Sequence, residues 1–424
     1  MLGDKILIKS IRIRNLLSFG SDTDETELLS LNVLVGPNAS GKSNLIETIG
    51  LLQAAPKDLT SPFRGKGGGG FQEWLWKGSH TPPPKEIDVS GEIEVTVNYD
   101  ASREKVPLRY KISLAISGQK YMVASEVVEN AFPEYRNLKD VRFYYRLSNG
   151  HPILNIPDEN GVSGGRTSKQ KRKLKHLNPT DISNDQSILS HRKDPVQYPE
   201  ITYLGKQFEQ IKLYREWNLG RNTAPRRPQP TDMPDDFLEE DANNLVLVLN
   251  SLQHTPPVRD LILEHMANFS DSFDNLNFKV QGGTVQLFLE EVFSEEGSGS
   301  GLIPATRLSD GTLRFLCLLS VLCHPTPPPL ICIEEPEIGL HPDIIPTVAQ
   351  LLIEASHRTQ LIVTTHSDIL IDALTHVPEA LVLCEKHNGK TSMRREEPEK
   401  LKAWLKDHRL GQLWLRGDLG GTRW

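Results

Sequence analysis

Cysteine is scarce in this chain, long apolar runs are missing, and neither sign of charge dominates. The four cysteines among 424 residues, Cys317, Cys323, Cys332 and Cys384, all lie in apolar stretches and form no Cys-x-x-Cys pair. That excludes a zinc knuckle, a redox pair and a disulfide scaffold, and predicts small buried hydrophobes in a reducing compartment. The longest apolar stretch, Phe315 to Cys323, falls far short of the roughly 20 residues that span a bilayer. The N-terminal run is broken by Lys5, Lys9, Arg12 and Arg14, so no signal-peptide core is expected. A cytoplasmic protein without a membrane partner is the expectation. With 48 Lys and Arg against 55 Asp and Glu the net charge is −7, which excludes a generic basic coat for nucleic acid and leaves only local basic patches for that purpose. No internal repeat and no long heptad run appears.

What is present reads as an ordinary globular chain, with 38% hydrophobic and 24% charged residues, enough for a sizeable core. The runs KILIKSIRI and LNVLV predict short strands, and SNLIETIGLLQAA repeats its apolar residues at helical spacing until Pro56. Residues 86–156 alternate apolar and polar, predicting an antiparallel sheet. Residues 160–180 are basic and almost free of apolar side chains, predicting an exposed loop, and residues 200–220 read as helix followed by a Pro-rich connector. From Asp241 the pattern is helical, then two strand-like runs follow. From Leu308 helices alternate with continuous apolar strands, the mark of a parallel sheet covered on both faces.

Gly36-Pro37-Asn38-Ala39-Ser40-Gly41-Lys42-Ser43 matches G-x-x-x-x-G-K-[ST] between a predicted buried strand and a predicted helix. Glycines let the backbone wrap so that successive N–H groups point at phosphate oxygens, and the helix dipole adds positive potential. Lys42 is expected to reach the β- and γ-phosphates, and Ser43 to ligate Mg²⁺. Downstream, the strand Leu330–Ile333 delivers Glu334 and Glu335 at its carboxyl end, where open parallel sheets bind ligands. One acid suits Mg²⁺ and the other an attacking water. Ser309, Asp310 and Gly311 open the helix LRFLCLLSVL, with Ser309 as its N-cap, and LIVTTHS ends a buried strand at His366.

Taken in order these motifs resemble the ATP-binding cassette (ABC) family: GPNASGKS its Walker A, LSDGT its signature, ICIEE its Walker B with the catalytic glutamate, EIGLHP its D-loop and TTHS its switch histidine. IRIRNLLSFGS, EEPEIGLHP and LEEDANNLVLVLNSL further resemble AAA-type ABC ATPases of the overcoming-lysogenisation-defect (OLD) and RecF-like group, which includes ATPase components of bacterial anti-phage systems. Two departures stand out: Glu334 replaces the usual Walker B Asp, and LSDGT replaces LSGGQ.

The resemblance implies an α/β P-loop NTPase, an ABC-type head with a mixed or parallel core sheet, an antiparallel β subdomain and a helical lobe. Residues 1–160 would carry Walker A and the β subdomain, 161–240 an insertion, and 241–424 the lobe and the remaining motifs. ATP and Mg²⁺ are the implied cofactors. Gly36 through Ser43 with Ser309, Asp310 and Gly311 would bind nucleotide, Ser43 and Glu334 the metal, and Glu335 and His366 would act in hydrolysis. Two copies would close around two ATP molecules, each copy's Ser309 covering the other's γ-phosphate. Gln186, ahead of Gln53, is the candidate Q-loop glutamine, and Arg12, Arg14 and Asn15 are candidate adenine contacts.

The tail after His366 lacks the clustered acids of a TOPRIM nuclease, and no His-Asn-His (HNH) pattern with metal-binding cysteines occurs. The favoured expectation is therefore a regulatory ATPase of phage defence acting with a separately encoded nuclease or effector of TOPRIM or HNH type. The alternative is a RecF-like repair ATPase that binds DNA, or RNA, without cutting it. Its motive is the basic set Arg166, Lys169, Lys171, Arg172, Lys173 and Lys175, with Arg226 and Arg227. The long interval between Gly41 and Gly311 argues against a transporter subunit, and the missing coiled coils against cohesion-type and Rad50-like ATPases.

Overall fold

The computed structural model describes residues 2–64, 69–78, 91–99, 106–117, 120–133, 140–157, 172–178, 181–292 and 300–420. Three sheets organise the chain. The first has eight antiparallel strands: β1 (Ile8–Arg14), β2 (Thr26–Glu27), β4 (Gly91–Val97), β5 (Leu108–Ser117), β6 (Lys120–Asn130), β7 (Phe143–Ser148), β8 (His151–Pro157) and β9 (Arg172–His176), in the order β2-β1-β4-β5-β6-β7-β8-β9. The central sheet contains β3 (Leu31–Val35), β10 (Lys212–Tyr214), β15 (Leu330–Glu334), β16 (Gln360–Thr364), β17 (Leu381–His387) and β18 (Lys390–Arg394). Its order is β10-β15-β16-β3-β17-β18, parallel except for the last hairpin. The third sheet joins β11 (Gln229–Pro230), β12 (Phe273–Gln281), β13 (Thr284–Val292) and β14 (Ser300–Pro304).

Every residue of β3 and β16 is buried, as expected of a parallel sheet covered on both sides. The two-residue period of the strands divides their side chains between two cores. Leu31, Val33, Ile331, Ile333, Leu361 and Val363 point into one, which includes helices α3 (Leu245–Leu252), α5 (Asp310–Leu322) and α6 (Ile345–Ala355). Leu34, Leu330, Cys332, Ile362, Val382 and Cys384 point into the other, with α1 (Lys42–Ala54), α2 (Pro199–Glu209) and the antiparallel sheet. Helix α4 (Pro256–Phe269) starts on its two prolines, which tolerate the first helical turn because their missing N–H would be unpaired there. All four cysteines are free and buried. Among the described residues no helix is long and apolar enough to cross a membrane.

The mixed α/β architecture agrees with the sequence expectation, and two local readings change. The stretch 200–220 is not wholly helical: after α2 the chain enters β10, the edge strand of the central sheet. Three residues are too few to display a period. The basic stretch 160–180 is not all loop, because Arg172–His176 pairs along β8 as β9; Arg166, Lys169 and Lys171 lie outside the described residues. The central sheet draws strands from all three sequence segments: β3 from 1–160, β10 from 161–240 and the rest from 241–424.

One fully buried side chain ties the antiparallel sheet to the central one. Gln360, at the start of β16, accepts from Leu7 N at 3.1 Å and Ile8 N at 2.8 Å, and donates to Ile8 O at 2.8 Å and Leu29 O at 3.0 Å. Replacing it by Leu strands four backbone groups, each costing about 1–3 kcal/mol when left unpaired. Gln360→Leu is expected to lower the stability by at least about 3 kcal/mol, read as a shift of the urea unfolding midpoint.

Candidate functional site

Three neighbouring parallel strands end together. Glu334 pairs with Thr364, and Thr364 with Leu34, so the loops leaving β15, β16 and β3 start from one row. The loop after β3, Gly36 to Gly41, leads directly into α1. Gly41 adopts φ 102°, where a side chain is strained, and a Cβ there would strike the Thr391 hydroxyl. Thr391 on β18 donates to Ser40 O at 2.8 Å and lies 2.7 Å from Ser18 Oγ, which accepts from Asn44 Nδ2 at 2.6 Å. This chain of hydroxyls braces the loop from outside.

Inside the loop, the Lys42 ammonium is buried and donates to Gly36 O at 2.8 Å and Pro37 O at 3.1 Å. Burial holds its pKa below the usual lysine range. Ser40 Oγ is buried without a partner among the described residues. A buried cation and an orphaned hydroxyl inside a glycine-shaped cradle suit an anionic ligand.

Ser43, at the start of α1, donates through Oγ to Glu334 Oε2 at 2.8 Å. Among the described residues no cluster of three or more His, Cys, Asp or Glu side chains could hold a metal unaided. One hydroxyl beside one carboxylate fits Mg²⁺, which usually takes few protein ligands and completes its shell with phosphate oxygens and water. An open cleft of about 1160 Å³ starts at Ser43 and Glu334 and runs past Glu47, Gln53 and Arg215.

Glu335 has left the strand. Its φ of 46° is unusual for a non-glycine residue, and its N–H donates to Thr364 O at 3.0 Å. This conformation, rather than strand alternation, separates its side chain from that of Glu334. Glu335 Oε1 lies 3.8 Å from His366 Nε2. Burial, reinforced by the positive charge of Lys42, holds the His366 pKa below the usual histidine range, which favours the neutral imidazole, able to accept a proton or a hydrogen bond.

The signature residues lie on the lobe. Ser309 Oγ accepts from Thr312 N at 3.0 Å, capping α5 as expected. Ser309 and Asp310 are exposed and Gly311 is half-buried. The Asp310 carboxylate is held by Arg226, whose side chain also donates to Leu219 O at 2.7 Å and Leu308 O at 2.5 Å. Arg226 is therefore not a nucleic-acid contact of an exposed connector; it is a buried strut of the signature turn.

Two further expectations concern the surroundings of the cleft. Gln186 is tied to Leu59 N at 3.0 Å and Asp58 at 2.9 Å, whereas Gln53 lines the cleft and binds Ile211 O at 2.7 Å. The residue that follows β10 into the site is Arg215, 3.6 Å from Glu334 and 3.8 Å from Glu47. Arg12 and Arg14 are engaged on the antiparallel sheet, Arg12 by Glu25 at 3.0 Å and Glu94 at 3.6 Å, Arg14 by Glu92 at 3.1 Å. Sequence reading missed Arg215 and Thr391 and gave Arg226 another role, since each acts mainly on residues far away in the chain and none carries a local motif.

A family model described as "AAA domain, putative AbiEii toxin, Type IV TA system" matches residues 31–372. The fold is also that of solved Smc heads. A crystal structure of the SmcHead bound to the C-winged helix domain of ScpA aligns with a TM-score of 0.55 at 13% identity, over 93% of this chain and 99% of that one. The Smc head with an extended coiled coil bound to the C-terminal domain of ScpA, derived from Pyrococcus furiosus, aligns with a TM-score of 0.54 at 13% identity, over 95% and 99%. Among curated proteins none matches the chain.

The cradle makes a direct demand on its lysine. Lys42→Ala is expected to abolish detectable ATP binding in a titration calorimeter while leaving the thermal unfolding transition in place.

Proposed function

This chain belongs to the AAA-domain family matched over residues 31–372, and from that premise we propose that it is an ABC-type ATPase that closes as a dimer around two MgATP. The observation that carries the reading is the common row of strand ends, which presents the Lys42 loop, the Ser43–Glu334 pair and the Glu335–His366 pair to one place. Backbone N–H groups of residues 36–43 and Lys42 hold the phosphates. Ser43 and Glu334 would hold Mg²⁺, which would offset the negative charge of the phosphates. Glu335 orients the attacking water and takes its proton, and neutral His366 hydrogen-bonds the water or a γ-phosphate oxygen. The products are ADP and phosphate.

Ser309 and Asp310 are exposed, and their hydrogen bonds stay within the lobe. That arrangement leaves the N-terminus of α5 available to the γ-phosphate bound by a second copy. ATP then bridges two heads, and hydrolysis releases them.

The finer reading places the chain with OLD- and RecF-like ATPases, as the regulatory component of an anti-phage system whose nuclease or effector is a separate protein. Support comes from the family's description as a putative toxin of a type IV toxin–antitoxin system, and from Smc heads solved with a bound partner domain. The competing DNA-binding reading retains Lys173 and Lys175, exposed on the edge strand β9.

Glu335→Gln is expected to bind ATP but turn over at least about tenfold more slowly, as when a general base is lost. Light scattering should show that variant shifting from monomer to dimer only with MgATP, and Ser309→Arg should cancel the shift. An unchanged mass with MgATP refutes the sandwich. Co-expression with the neighbouring open reading frame separates the finer readings. Co-purification of a TOPRIM or HNH protein supports the defence assignment, whereas purification alone, with duplex binding that weakens steeply with salt, supports the DNA reading.

A further inference from the structure

Resting on the assignment of Glu335 and His366 above, we propose that Glu337 is the positioning residue that fixes the hydrolytic pair, and that Arg314 ties this hold to the signature helix. Glu337 sits in the turn just after Glu335, where Ile338 N donates to Glu335 O at 3.1 Å. Its Oε1 accepts from the Thr365 hydroxyl at 2.6 Å and from the backbone N–H of His366 itself at 3.0 Å. Thr365 Oγ1 in turn accepts from Ser367 N at 3.0 Å, and Ser367 caps helix α7 (Asp368–Ala373). The turn that carries His366 thus hangs on one carboxylate oxygen.

Its other oxygen, Oε2, is buried and has no hydrogen-bond partner among the described residues, as does Nε of Arg314. Arg314 lies one turn into α5, two residues after the signature ends at Thr312. It donates to Glu335 O at 3.4 Å and places its guanidinium 5.5 Å from the Trp217 ring, in the segment after β10. Burial lowers the Arg314 pKa, and the negative charge of Glu337 acts against that shift. The negative charge of Glu337 thus favours the buried Arg314 cation, and of the two side chains one grips the Glu335 peptide and the other the His366 peptide.

The backbone of Glu335 gives this arrangement its purpose. A residue at φ 46° persists only where its surroundings over-determine it. Glu335 is held at its N–H by Thr364 O and at its carbonyl by Arg314, while Glu337 holds the histidine opposite. The separation of 3.8 Å between Glu335 and His366 is therefore set by Thr364, Arg314 and Glu337, none of which belongs to the pair. Because Arg314 belongs to the helix that Ser309 caps, movement of that helix on closing against a second copy changes the same separation.

The test is steady-state ATP hydrolysis by the full-length chain carrying Glu337→Ala, Glu337→Gln and Thr365→Val, with Glu335→Gln as control. Glu337→Ala is expected to lower kcat at least about tenfold with KM within about twofold, a loss in the range of a misplaced acid–base group. Glu337→Gln keeps a carbonyl acceptor for Thr365 and His366, and its kcat should lie at least about threefold above that of the Ala variant. A normal kcat in Glu337→Ala, an equal change in kcat and KM, or a Gln variant as slow as Ala overturns the proposal. If Glu337→Ala does not fold, as judged by circular dichroism, Thr365→Val decides: lower kcat at unchanged KM supports the proposal, and no change overturns it. Loss of turnover in Glu335→Gln but not in Glu337→Ala removes the positioning role alone. Normal turnover in Glu335→Gln removes the catalytic assignment beneath it.

Discussion

The register of the central sheet is the constraint on which the other features depend. Strands β3, β16 and β15 are parallel and in step, so Leu34, Thr364 and Glu334 form one row. With both faces of the sheet buried, side chains along the strands are committed to packing, and only the residues just beyond the row are free for chemistry. A slip of one residue in any strand would carry its terminal group to the other face. The two cores on either side resist such a slip, because each would exchange apolar side chains for those of the other.

How much of this was legible in the sequence depends on how local each signal is. The loop Gly36–Ser43, the capped start of α5 at Ser309, the acid pair Glu334–Glu335 and His366 are each written within a few residues, and the structure places them in the elements expected. The strand β10 was not legible, since three residues carry no period, and its partner β15 lies more than a hundred residues later. Arg226 looked like part of a solvated basic connector because its acceptors, Leu219 O, Leu308 O and Asp310, mostly lie far away. Gln360 was hidden for the same reason. A buried glutamine gives no pattern, and its four partners are backbone groups some 330 to 350 positions earlier.

The Smc heads that share this fold at 13% identity show how little of the architecture rests on particular apolar residues. Cores tolerate exchange when volume and pattern are kept, so the sheet order survives while the sequence drifts. The longest helix among the described residues here, α4, has 14 residues, and the third sheet with α3 and α5 packs into the same apolar core as one face of the central sheet. The shared fold is thus assembled here, among the described residues, from short helices, whereas one of those Smc structures carries an extended coiled coil.

The brace between Ser18, Thr391 and Ser40 has a consequence for synthesis. Ser18 and Thr391 are separated by 373 positions, and β3 is flanked by β16 and β17, both from the last quarter of the chain. As the polypeptide emerges from the ribosome its phosphate loop comes long before the strands and the hydroxyl that shape it. Contacts of such long sequence separation form late because loop closure must precede their reward. A chain cut before β16 therefore carries the phosphate-loop residues without the strands and the hydroxyl that shape the cradle.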